Sequence, residues 1–131
     1  MISAGWAAGF GLGGLALAGI IEKHAIIQAI QQIPVRILVN GTRGKSTVTR
    51  LIAAGLRAGG TPVMAKVTGS AARLILLNGE ERAIPRKGRT SVMEHGWFMR
   101  EAARSGAEAI VAECMAIRPD TSRAVERMTR A

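Results

Sequence analysis

The first 21 residues, Met1 to Ile21, contain no charged side chain. Within them Ile2 to Ile21 reads ISAGWAAGFGLGGLALAGII, and Glu22-Lys23-His24 closes the run. Twenty helical residues at 1.5 Å each span about 30 Å, the thickness of a bilayer's hydrocarbon core. Small residues recur four apart at Ala4/Ala8, Ala7/Gly11 and Gly14/Ala18, a spacing that lets transmembrane helices approach closely. Trp6 stands near one end, where an aromatic ring suits the interface.

Two other fates for this stretch fit less well. Ala16-Leu17-Ala18 looks like a signal-peptide cleavage site, but no Lys or Arg precedes the apolar run. A buried soluble helix would have to carry Gly5, Gly9, Gly11, Gly13, Gly14 and Gly19 at about 1 kcal/mol each. The reading is therefore a membrane anchor over residues 1–24, then a juxtamembrane helix or linker over 25–33, then a body over 34–131. Every basic residue follows the uncharged run, and from Arg36 onward there are 17 basic and 8 acidic residues. The positive-inside rule puts such a body on the cytoplasmic side of a single-pass cell-membrane protein.

The body alternates strand and helix. Val35 to Val39 is apolar and mostly β-branched, and Lys45 to Ala58 places Val48, Leu51, Ile52, Gly55 and Leu56 on one helical face. Gly59-Gly60 stops that helix and Pro62 to Val67 is the next strand. Leu74 to Leu77, Asn78-Gly79 and Arg82 to Ile84 suggest a hairpin with a type I′ turn. Ser91 and Glu94 open a helix to Arg104 in a capping-box pattern, and Gly106 ends it. Ala109 to Ala112 is a short buried strand delivering Glu113, and Pro119-Asp120 opens a last helix. The fold class that follows is α/β, a mostly parallel sheet with flanking helices, preceded by one transmembrane helix.

The segment Gly41-Thr42-Arg43-Gly44-Lys45-Ser46-Thr47 lies between a strand and a helix, the context a phosphate loop requires. Its glycines let backbone N–H groups turn toward phosphate oxygens, beside the positive end of the following helix. Lys45 reaches toward β- and γ-phosphates, and the Ser46 hydroxyl is a ligand for Mg²⁺. The strict Walker pattern wants a glycine where Val39 stands, so the loop is not the generic form. Glu113, at the carboxyl end of a strand, is the second Mg²⁺ ligand. The plain alternatives are a surface Gly-Lys-Ser turn and a solvated glutamate.

Lys66, Arg73, Arg82, Arg86, Lys87 and Arg89 sit mostly in or beside loops and would attract a polyanion. Nucleic acid is disfavoured, with two Trp, two Phe and no Tyr to stack on bases. The single cysteine, Cys114, excludes a disulfide scaffold and reads as a small buried residue. His95 and His24 read as surface and interfacial residues.

These features resemble the ligase subunits of bacterial poly-γ-glutamate synthases, capsule-forming enzymes of the Mur ligase superfamily. The resemblance rests on the apolar head, "VRILVNGTRGKSTVTRLI" over Val35 to Ile52, the segment Lys66 to Arg73, and "AIVAECMAIRPD" over Ala109 to Asp120. Where that family usually has Lys-Thr-Thr-Gly-Thr-x-Ala-Arg, this chain has Lys66-Val67-Thr68-Gly69-Ser70-Ala71-Ala72-Arg73. It implies ATP as the nucleotide with Mg²⁺, and an ATP-binding domain of which residues 34–131 are the N-terminal part. It implies an amide ligase that activates a glutamate γ-carboxyl as an acyl phosphate for attack by another glutamate's amine. Lys45 and Arg73 would be catalytic. Gly41, Thr42, Arg43, Gly44, Lys45, Ser46 and Thr47 would bind ATP, and Ser46 and Glu113 would bind metal. Lys66, Thr68, Ser70 and Arg73 would meet substrate carboxylates or the transferred phosphate. The implied partners are membrane subunits of the synthase, glutamate and its polymer, and a sheet with one open edge would lean on a partner or a second copy of the chain. The resemblance covers the opening part of the family's length, so the chain is a piece of a longer ligase or a short form that leans on partners. The rival classes are a membrane-tethered P-loop ATPase switch and a non-catalytic assembly subunit.

Overall fold

The computed structural model describes residues 4–69, 71–85 and 92–114, with Arg123 and Arg127. Side chains are described from Gly11 onward, and Val92 and Met93 only as backbone. The expected basic loop at 86–90, Ser70, the Ser91 cap and the helix after Pro119 lie outside these residues.

Helix α1 runs unbroken over Ala4–Gln32. Its stretch Gly11–Gln32 is long and apolar enough to cross a membrane. Leu12, Leu15, Leu17, Ile20 and Ile21 are 62% to 74% exposed, so this half of α1 touches nothing else in the chain. The last turns are different. Ile26, Ile30 and Ile33 share one face and pack into the body, so the 25–33 segment is helical and partly core. No basic residue lies in the last turn of α1. Its terminal carbonyls are met by the Arg36 guanidinium, which donates to Ile30 O at 2.9 Å and Ile33 O at 2.8 Å.

Five strands form one sheet: β1 (Val35–Val39), β2 (Val63–Val67), β3 (Arg73–Ile75), β4 (Glu81–Ala83) and β5 (Ala109–Glu113). Their order is β1-β5-β2-β3-β4. β1, β5 and β2 are parallel, with Val39 opposite Glu113 and Lys66 opposite Ala112. β3 and β4 join antiparallel, so the expected parallel sheet carries a hairpin edge and is mixed. A hairpin needs only a tight turn, whereas each parallel step needs a helical crossover, and the chain ran two of those.

The hairpin turn differs from the expected two-residue type. Gly79 N–H donates to Leu76 O at 2.9 Å, and Leu76 N–H donates to Glu80 O at 2.9 Å. The loop is thus three residues, with Gly79 at φ 88° in the left-handed position that closes such turns. Asn78 accepts Glu80 N–H at 3.0 Å, the local bond that suits it to the position before.

Helix α2 (Lys45–Ala58) covers one face of the sheet, with Ile52, Ala53 and Leu56 against Val63, Ala65, Val67 and Val111. Of the expected stripe, Ile52 and Leu56 face the sheet. Thr49 and Ala53 are the buried positions, while Val48 and Leu51 are 44% and 67% exposed. Small side chains at Thr49 and Ala53 let α2 lie close on the strands, and Val48 and Leu51 turn outward. Helix α3 (Val92–Arg104) and the end of α1 cover the other face, through Phe98, Met99, Ala102, Ile30 and Ile33. Both α2 and α3 end on a left-handed glycine. Thr61 N–H returns to Leu56 O and Ala107 N–H to Ala102 O, both at 3.0 Å, with Gly60 and Gly106 at φ 86° and 78°.

Candidate functional site

The carboxyl ends of β1, β5 and β2 converge beside the start of α2. Gly44 sits at the N-cap of α2 with φ 75° and ψ 5°, and no side chain caps the helix. Its first turn holds no acidic residue either. The first N–H groups of α2 thus face outward with the positive end of the helix dipole behind them. Gly41, at φ 149°, donates its N–H to Asn40 Oδ1 at 2.8 Å. The Lys45 ammonium folds back onto Gly41 O at 2.6 Å, so it is held over the same short loop.

Ser46 and Glu113 meet here. Strand alternation sends Ala109, Val111 and Glu113 to the α2 side of the sheet. Ser46 Oγ donates to Glu113 Oε2 at 2.7 Å, and the backbone N–H of Thr68 donates to the same oxygen at 2.9 Å. Glu113 is buried, at 5% exposure, so these two donors stand in for water around its charge. A side chain at Gly69 would put a Cβ 3.2 Å from Ser46 Oγ. Glycine there keeps the space beside the hydroxyl open. A hydroxyl and a carboxylate sharing a bond at a helix start, with room beside them, are oxygen donors of the kind a divalent cation takes. No group of three or more His, Cys, Asp or Glu is placed to hold a metal among the described residues. Thr68 is itself buried, and its Oγ1 has no hydrogen-bond partner among the described residues.

The remaining candidates divide by face. Arg73 pairs across the ladder with Val67, and Lys66 with Leu74. Val67 belongs to the α2 side and Leu74 to the α3 side. Arg73 is therefore on the side of Ser46 and Glu113, 3.8 Å from Glu81 Oε2. Lys66 is on the opposite side. It is 1% exposed within β2 and pairs with Glu94 Oε1 at 3.1 Å. Lys66 lies inside the expected strand but is closed off from any polyanion, because α3 lays the partly buried Glu94 carboxylate against it. His95 was expected on the surface and is 3% exposed instead. It shares the inward face of α3 with Phe98, Met99 and Ala102. Burial pushes its pKa down to about 4, with the Lys66 charge adding to the effect and Glu94 opposing it. Cys114 is buried, as expected.

Two residues that sequence reasoning passed over also bear on the site. Arg50 is one turn beyond Ser46 on α2, and it grips Glu81 at 2.7 and 3.3 Å. That bond lowers the Glu81 carboxyl below its usual range and raises Arg50. Glu81 thus joins Arg50 and Arg73 next to the site. The i, i+4 spacing from Ser46 was the available signal for Arg50. Gly69 was the other, and only the fold brings it to Ser46.

The chain is an α/β domain whose strand–loop–helix start brings a hydroxyl and a carboxylate into contact. Comparison with known proteins narrows that class. The chain is similar to PGA synthase CapB of Bacillus subtilis (strain 168), 45% identical over 104 residues, which is 78% of this chain and 26% of that protein. It is also similar to the capsule biosynthesis protein CapB of Bacillus anthracis, 40% identical over 108 residues, 81% of this chain and 23% of that protein. The match thus spans about a quarter of the length of these curated relatives. No family model and no solved structure matches the chain.

Proposed function

We propose that the chain is the ATP-binding part of a membrane-tethered amide ligase in poly-γ-glutamate capsule synthesis. The observation that carries this reading is the Ser46–Glu113 bond at the uncapped start of α2. The printed names of the two relatives support the product class, and the bare half of α1 supports the tether. On this reading Gly41 to Thr47 form the phosphate loop of a Mur-type ligase. Backbone N–H groups and Lys45 hold the β- and γ-phosphates, and Ser46 and Glu113 hold Mg²⁺. That ion would neutralise charge between the phosphates.

A γ-carboxylate oxygen of glutamate attacks the γ-phosphorus of ATP, and ADP leaves. The amine of a second glutamate then attacks the acyl carbon. Inorganic phosphate leaves, and the amine proton passes to solvent. Lys45 and Arg73 balance the charge of the moving phosphoryl group, the kind of contribution worth about 10²–10³ in rate per group. Thr68 and Ser70 remain weaker substrate candidates. Lys66 would act through Glu94 and the strand end instead of touching substrate. Membrane subunits of the synthase, and further chain supplying the rest of the ligase, would complete the site.

The test is ADP release from the membrane-embedded protein with and without glutamate. Glutamate-dependent release is expected. Release indifferent to glutamate would make the protein an ATPase switch. No release in the assembled complex would make it an assembly subunit.

A further inference from the structure

We infer that the end of the sheet carrying Ser46 and Glu113 faces the bilayer, level with its headgroup layer. The inference rests on the proposed membrane-spanning role of α1 and adds the direction in which the site opens.

The direction follows from how α1 and α3 run. Helix α3 starts at the carboxyl end of β2, where Glu94 meets Lys66. It ends at the amino end, where Glu108 and Ala109 donate to Pro62 O at 2.8 and 3.0 Å. Helix α1 ends at that same amino end, because Val35 N–H donates to Glu108 O at 3.2 Å. Going back along α1, Glu22 reaches Arg100 at 3.6 Å, part-way up α3. So α1 climbs the sheet beside α3, from the amino ends of the strands toward their carboxyl ends.

The lengths then match. From Ile33 back to Glu22, α1 rises about 17 Å. A five-residue strand rises about 16 Å. Helix α1 therefore reaches the level of the strand carboxyl ends within about one turn of Glu22, the residue that ends the uncharged run. The bare apolar half begins there and continues past the site. Trp97, on α3 one turn before Arg100, is 40% exposed at this level. An exposed tryptophan next to an arginine is what a headgroup layer accommodates. The 40–44 loop, with Arg43 exposed on it, points into the same layer. Substrates would reach the site along the membrane surface.

The experiment places nitroxide labels on the full chain in a Cys114→Ser background, in phosphatidylcholine–phosphatidylglycerol nanodiscs doped with nickel-chelating lipid. Thr42→Cys reports the carboxyl-end side. Ala58→Cys and Ser105→Cys report the amino-end side on the two faces of the sheet. All three positions are exposed. Thr42 and Ala58 are separated by the length of α2, about 20 Å. Relaxation enhancement by the nickel lipid should be several-fold stronger at Thr42 than at both others. Equal or stronger enhancement at either Ala58 or Ser105 overturns the inference. A Leu15→Cys label separates this failure from that of the anchor. It should be open to oxygen and closed to a water-soluble nickel complex. If it is open to the complex, the membrane-spanning reading falls and the inference falls with it.

Discussion

Ser46 Oγ and Glu113 Oε2 lie 2.7 Å apart although 67 positions separate them in the chain. Their contact requires the parallel pairing of β1 with β5, since Val39 leads into the 40–44 loop and Glu113 stands opposite Val39. The bond is also a dependence. A buried carboxylate that loses a donor keeps its desolvation cost, about 1–3 kcal/mol.

Ser46→Ala should therefore lower stability by about 1–3 kcal/mol in urea unfolding. Under the proposed function it should also raise the Mg²⁺ concentration needed for half-maximal ADP release. Glu113→Gln should raise it too, and the double variant should be no worse than the poorer single one, because both residues serve one site. Additive losses in that cycle would place the two residues in separate roles.

Alanine acts by different routes at Gly44 and Gly69. Gly44 has a positive φ with nothing within 4 Å of an added Cβ. Gly44→Ala should cost about 1–2 kcal/mol of stability from the left-handed backbone alone. At Gly69 the added Cβ lands 3.2 Å from Ser46 Oγ. Gly69→Ala should push the hydroxyl off Glu113, lowering stability by about 1–3 kcal/mol as Ser46→Ala does and cutting ADP release at least tenfold. A Gly69→Ala protein with full activity would show that this space is not used.

The 41–47 segment and Glu113 were legible in the sequence because each depends on local order: strand, glycine loop, helix, and an acid ending an apolar run. Which face a strand residue takes was not. Every residue of β2 is buried, so Lys66 showed no alternation with exposed neighbours. His95 follows an acidic residue and looked solvated, yet it shares the inward face of α3 with Phe98 and Ala102. On α2 Thr49 and Ala53 pack most deeply, beside Ile52 and Leu56, and a search for large apolar side chains adds Val48 and Leu51, which are exposed. The hairpin was visible from Asn78-Gly79, but its loop length depends on the pairing of Ile75 with Glu81 across the ladder.

Lys66 and Glu94 form an ion pair whose side chains are 2% and 13% exposed. Removing one partner strands the other in a dry setting, typically at a cost of 3–5 kcal/mol. Lys66→Met should destabilise the chain by about that much, measured by urea unfolding. Lys66→Met with Glu94→Leu should recover at least half of it. A Lys66→Met protein of normal stability would mean that the pair adds little and that the lysine's charge is dispensable.

His95 should make stability depend on pH between 6.5 and about 4. Burial lowers its pKa in the folded chain, so the native state holds the ring neutral where the unfolded chain has already bound a proton. Above pH 6.5 both states are neutral at this position and it imposes no penalty. As pH falls toward 4 the unfolded state gains protons that the folded state does not, and stability drops by up to about 1.4 kcal/mol per pH unit. Below that window both states are protonated and the contribution levels off. The loss over the whole window is about 3 kcal/mol. His95→Leu removes the titrating ring and keeps an apolar group in contact with Phe98. Urea unfolding of that variant should show a flatter pH profile over the same window, whatever its absolute stability. An unchanged slope would assign the acid sensitivity to the carboxylates and leave His95 as a packing residue only.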